Sequence, residues 1–101
     1  MAKISTISDF RASLSAAEPP AELSLPVTAL WWAAKDDWDT AHRLVQGDGG
    51  SESAWVHAYL HRVEGDNSNA AYWYRRAGRD PSTASLDQEW AEIAARLLAD
   101  S

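Results

Sequence analysis

The feature that most constrains this chain is a turn that occurs twice. Asp36-Asp37-Trp38-Asp39-Thr40-Ala41 overlays Gly65-Asp66-Asn67-Ser68-Asn69-Ala70 at an offset of 29 residues, and at the same offset Ala29 meets Ala58, Leu30 meets Tyr59 and Trp31 meets Leu60. Asp37 stands where a helix N-cap belongs, and each copy of the turn carries a small Ala at the matching place, Ala41 and Ala70. A chain that makes the same turn twice between stretches of helical period forms two helical hairpins. Their short turns make the paired helices antiparallel, and Ala at matching places lets the helices approach closely.

The flanking pattern agrees. Ser8-Asp9 followed by Phe10, Leu14 and Ala17 reads as a short helix stopped by Pro19-Pro20, and the stretch to Pro26 reads as extended or loop-like. Val27, Leu30, Trp31 and Ala34 share one helical face, and Asp37 caps a second helix with the stripe Trp38, Ala41 and Val45. Gly47-Asp48-Gly49-Gly50 ends that helix. Ser51 is read as the cap of the next one, which runs to about Glu64 and has an apolar arc wide enough to need contacts on more than one side. Gly65-Asp66 breaks the chain before a helix with Ala70, Trp73, Tyr74 and Ala77 on one face, stopped by Gly78 and Pro81. Ser85-x-x-Gln88 is a capping box that opens a last helix with the face Leu86, Trp90, Ile93, Ala94 and Leu97.

Composition narrows the function classes. A length of 101 residues fits one core, and six Trp give a small domain much of its driving force for burial. The net charge of −6 argues against nucleic-acid binding, which needs clustered Lys and Arg. The absence of Cys excludes disulfides, thiolate zinc sites and Cys nucleophiles. The opening run MAKISTISDFRASLS has no apolar stretch of signal-peptide or membrane-span length, so no membrane partner and a cytoplasmic location are expected.

Gly65-Asp66-x-x-x-Ala70-x-x-x-Tyr74-x-x-Ala77, with Pro81 beyond, resembles the second half of a tetratricopeptide or Sel1-like repeat. The run AWVHAYLHRVEGDNSNAAYWYRRAG, extended back to ALWWAAKDDWDTAH, is similar to a small family of uncharacterised single-domain helical proteins over roughly residues 27 to 79. The resemblance implies a fold and no activity. It also has departures: the period is 29 against about 34, Trp55 is one place off the expected aromatic, and His57 and His61 replace a large apolar residue and an aromatic. The expected architecture is all-α with about five helices: two tetratricopeptide-like antiparallel hairpins plus flanking N- and C-terminal capping helices. Residues 1–26 form an adapter with a short helix, and residues 27–101 form the hairpin domain with its C-terminal cap, the whole being one globular unit.

Three constellations carry potential chemistry. His57, His61 and Glu64 lie at i, i+4 and i+7 and form the polar stripe of their helix. Two imidazoles and a carboxylate so placed can grip a metal with an open position, or they are simply the helix's solvated edge. His42 is a possible third ligand whose place the sequence does not fix. Periodicity puts the His pair on the exposed edge, whereas the tetratricopeptide alignment turns it toward the following helix. Arg62, Arg75, Arg76 and Arg79 give residues 57 to 79 a balance of +2, leaving −8 elsewhere. With Tyr72 they can bind a carboxylate or phosphate, or they pair with acids and keep the surface soluble. Trp32 lies off its helix's apolar stripe, either as an interface anchor or packed under Pro19-Pro20. Gly47 to Gly50 lacks the Lys-Ser/Thr ending of a phosphate loop, and no nucleophile elbow is present.

No catalytic set and no cofactor signature emerges. The expected function is a protein or peptide interaction module, or a self-associating scaffold such as a homodimer, with Trp32, Trp55, His57, His61, Arg62, Tyr72, Arg75 and Arg76 as candidate ligand or interface residues. The alternative is a small metal-binding protein or an enzyme acting on an anionic small molecule through its His/Arg cluster.

Overall fold

The computed structural model describes residues 4–100. Met1 to Lys3 of the expected adapter and Ser101 of the expected hairpin domain lie outside the described residues. All regular structure among the described residues is helical: α1 (Ile7–Ser13), α2 (Leu25–Ala34), α3 (Trp38–Gln46), α4 (Ser51–Val63), α5 (Asn67–Ala77) and α6 (Leu86–Ala99). There are six helices where about five are expected; the short N-terminal helix is among them, and its cap is Thr6, which accepts from Asp9 N–H.

The two matching turns close with matching bonds. Asp36 N–H donates to Ala33 C=O at 3.1 Å and Asp37 N–H to Trp32 C=O at 3.0 Å. Twenty-nine residues on, Gly65 N–H donates to Arg62 C=O at 3.0 Å and Asp66 N–H to His61 C=O at 2.9 Å. Asp36 (φ 64°) and Gly65 (φ 85°) both occupy the left-handed region that reverses the chain. Asp37 then caps α3 by accepting from Thr40 N–H, and Asp66 caps α5 by accepting from Asn69 N–H. The small residues Ala41, Ala58 and Ala70 are buried where α2 packs on α3 and α4 on α5.

Two local expectations change. The N-cap of α4 is Gly50 rather than Ser51, which is the first helical residue. Asp48 ties the loop to the start of α4, accepting from Gly50 N–H at 3.3 Å and from the Ser53 hydroxyl at 2.5 Å, but no side chain caps the helix. α2 begins at Leu25 with Pro26 in its first turn, so the expected boundary after residue 26 falls inside a helix.

α4 is the centre of the molecule. It packs on α2, α3, α5 and α6, and every residue from Ser53 to His61 is buried, as its wide apolar arc requires. α1 is fastened to this core by Phe10, which is fully buried and stacks on Trp90 at 5.4 Å. Trp31 Nε1–H donates to Ser13 Oγ, and Lys35 Nζ donates to the carbonyls of Leu14 and Ala16. Each such buried aromatic contributes on the order of 2–3 kcal/mol. Trp32 is half-buried with its ring edge-on to Trp31 at 5.0 Å.

Candidate functional site

A helix presents i and i+4 on one face, so α4 offers His57 and His61 together, and α3 offers Trp38 and His42 together. The packing of α3 on α4 brings these two pairs into one cluster. His57 Nε2 lies 3.0 Å from His42 Nε2. One nitrogen from each of His42, His57 and His61 falls within 4.8 Å of the others. Sequence spacing foresaw His57 with His61; it is tertiary packing that supplies His42.

The rings are held by stacking. His42 stacks on Trp38 at 4.6 Å, and Trp38 is itself anchored by its Nε1–H donating to Leu60 C=O at 2.7 Å. His57 stacks on Trp73 of α5 at 3.8 Å and on His61 at 4.9 Å, while His42 meets His57 edge-on at 4.7 Å. His57 is 3% exposed and His61 6%, so the pair is not a solvated edge; His57 packs toward α5 through Trp73, and both packing partners, α3 and α5, cover it. Imidazole is amphipathic, and a stripe of His is compatible with burial where a stripe of carboxylates is not.

The electrostatics favour the neutral form of His57 and His42. Burial, with the neighbouring His42 and His61 acting in the same direction, pushes the His57 imidazole down to about 4. Burial and His61 also lower His42, against a smaller upward pull from Glu64 and Asp39. Only one proton can lie between the two facing Nε2 atoms, and Nδ1 of His57 is buried with no partner. An orphaned buried polar atom costs roughly 1–3 kcal/mol, a strain that folding alone does not require.

Glu64 does not complete a ligand set with both α4 histidines. Its Oε1 lies 2.6 Å from Nδ1 of His61, and Glu64 itself is 40% exposed. His61, Glu64 and Asp66 form a second, outer group that shares His61 with the imidazole cluster. Trp38, besides stacking on His42, lines a cavity of about 450 Å³ together with Arg11, Tyr59, Leu60, Asp87 and Trp90.

The other candidates lie elsewhere. Arg62 ion-pairs with Glu89 at 2.6 Å and donates to Ala84 C=O at 2.8 Å, which leaves it engaged with the protein itself. Glu89 is 1% exposed and also accepts from Tyr74 Oη–H at 2.5 Å and from Trp55 Nε1–H at 3.4 Å. Burial and the hydrogen bond to Glu89 push the Tyr74 phenol well above its ordinary value. Trp55 is therefore a buried member of this network, covered by the Arg79 guanidinium at 3.4 Å from its ring centroid. Tyr72, Arg75 and Arg76 are exposed on α5. Glu89 escaped the sequence reading although a signal existed: it is three residues after Leu86, on the same helical face as Trp90 and Ile93, where a carboxylate must find a buried partner. No helix among the described residues is long and apolar enough to cross a membrane. Compared with known proteins, the chain matches no family model, no curated protein and no solved structure.

Proposed function

We propose that this protein binds a divalent transition-metal ion on the imidazoles of His42, His57 and His61. The observation that carries the reading is the convergence of three His nitrogens within 4.8 Å from two different helices, one of them on a buried ring with an unpartnered nitrogen. Ligand nitrogens on tetrahedral zinc lie about 3.3 Å apart at metal–nitrogen distances of about 2.0–2.1 Å, so small ring rotations close the set. Three imidazoles and no thiolate suit Zn²⁺, Cu²⁺ or Ni²⁺ rather than Mg²⁺ or Ca²⁺. Glu64 accepts from Nδ1 of His61, which leaves Nε2 as the ligating atom and makes it more basic. His42, half-exposed, is the edge at which the ion and a fourth ligand enter.

The same reading takes the two hairpins as a short tetratricopeptide-like array that places His42 and His61 beside each other; the matching turn bonds support it. Chelator-stripped protein titrated with Zn²⁺ by calorimetry, with metal content counted by mass spectrometry, tests the site. One ion per chain is expected, with a rise in Tm as the ion binds the folded state alone. His42→Ala and a His57→Ala/His61→Ala double variant each lose the stoichiometric ion. Stoichiometric zinc retained by the double variant overturns the assignment.

A further inference from the structure

The segment 67–79 holds Arg75, Arg76 and Arg79 and no acidic residue, so the rest of a chain of net charge −6 carries −9. Of these, Arg75 and Arg76 are exposed on α5, which carries no carboxylate and so attracts an acidic partner that the rest of the chain repels. On α5 the guanidinium of Arg75 lies 6.0 Å and that of Arg76 5.9 Å from the Tyr72 ring centroid, and Arg76 also lies 5.4 Å from that of Trp73. Arg76 Nη1–H donates to Tyr72 Oη at 3.2 Å. Tyr72 is nevertheless 43% exposed, one of the few large side chains left so. Among the described residues the ion pairs are His61–Glu64 and Arg62–Glu89, and neither Arg75, Arg76 nor Arg79 takes part in one.

This differs from the fate of Arg62, whose donors are taken up by the core. A guanidinium resting on an aromatic ring is held in place while donor groups at its edge stay available, a geometry that matches carboxylates in pairs. Side chains already ordered by their neighbours also lose less entropy on binding. We propose that the exposed face of α5, with Tyr72 between Arg75 and Arg76, docks an Asp/Glu-rich segment of a partner protein. The carboxylates pair with the two guanidinium groups, and an apolar side chain of the segment covers the Tyr72 ring. The proposal is independent of the metal site.

Fluorescence anisotropy with a labelled hexaglutamate peptide tests it on the full chain, with a hexalysine peptide as the charge control. Saturable binding of the glutamate peptide is expected, weakened by added salt and reduced about tenfold or more by Arg75→Gln/Arg76→Gln. Tyr72→Ala weakens it as well, whereas Arg43→Gln, an exposed Arg on α3, leaves it unchanged. Circular dichroism and an unaltered urea midpoint establish that the variants are folded. Three outcomes overturn the proposal: no saturable binding, equal loss in Arg43→Gln, or tighter binding of a DNA oligonucleotide than of the peptide. A dimer by light scattering that Arg75→Gln/Arg76→Gln dissociates would also overturn it, since the face would then belong to a second copy.

Discussion

α4 separates two buried polar clusters that follow opposite rules. On one flank Arg62 and Trp55 reach Glu89, whose carboxylate accepts from a guanidinium, a phenol and an indole, so every polar group is answered. On the other flank His57 and His61 meet His42 and two Trp rings, with fewer partners than polar atoms and one nitrogen orphaned. A fully satisfied network is what a stable core tolerates, whereas a half-satisfied one destabilises it unless something else completes it. The contrast supports the proposal that the Glu89 flank holds the fold and the His flank holds a ligand.

The largest test of this contrast is at Glu89. Glu89→Ala leaves the Arg62 guanidinium, the Tyr74 hydroxyl and the Trp55 N–H without their shared acceptor, at a cost of about 3–5 kcal/mol. Against a total stability of roughly 5–15 kcal/mol for a domain of this kind, the variant unfolds at a far lower urea concentration or fails to fold. A second variant, Arg62→Met/Glu89→Leu, removes both charges and recovers much of that loss. A urea midpoint for Glu89→Ala close to the parent's would break the comparison, because the network would then be as dispensable as a surface pair.

Acid titration gives a smaller effect with a definite sign. In the unfolded chain His57 protonates near 6.5, whereas in the folded chain burial lowers it to about 4. The unfolded state therefore binds the extra proton between these values. Stability from this group is full above pH 6.5 and is lost as pH falls toward 4, with His42 acting in the same direction. The groups facing the cluster are His61 and Glu64 on α4 and its end and Asp39 on α3, and the last two oppose the shift at His42. Allowing for solvent screening at the His42 edge, the loss is on the order of 2 kcal/mol. Urea midpoints of chelator-treated protein at pH 7 and pH 4.5 measure it. His57→Phe keeps a ring on Trp73 and removes the orphaned nitrogen, so it flattens this part of the profile and leaves stability at pH 7 equal or raised. An unchanged pH profile in His57→Phe would show that the cluster is not the source.

The parts of this arrangement that were legible in the sequence are those written within single elements. Asp37, Gly78 and the Ser85/Gln88 box mark helix ends through local hydrogen bonds, and the structure uses each of them in that way; Asp66, read as a chain break, also caps α5. His57 with His61 follows from one helical turn. The third imidazole does not, because His42 reaches them only through the packing of α3 on α4. Ser51 is the first helical residue and not the cap, because the helix starts one residue earlier, from Gly50, whose N–H is held by Asp48 in the glycine loop. The fate of the four Arg residues was equally hidden: one finds a buried carboxylate, and three rest on aromatic rings, a division decided by which helix faces Glu89.

The finest discrimination between the flanks comes from two carboxylates that each touch a neighbouring functional group. Glu89 is buried, while Glu64 is 40% exposed and meets Nδ1 of His61. Glu64→Gln keeps a hydrogen-bond acceptor of the same shape and removes the charge. An exposed contact of this kind is worth about 0–1 kcal/mol, so the urea midpoint barely moves. Its effect falls on the ion instead, since the carboxylate fixes which His61 nitrogen faces the ligand and how basic it is. Loss of such an outer carboxylate weakens metal binding about 10–100-fold. Parallel urea and Zn²⁺ titrations of Glu64→Gln read both quantities from one sample. If stability fell while the affinity for zinc held, Glu64 would belong with Glu89 among the residues that maintain the fold, and the division of labour across α4 would be lost.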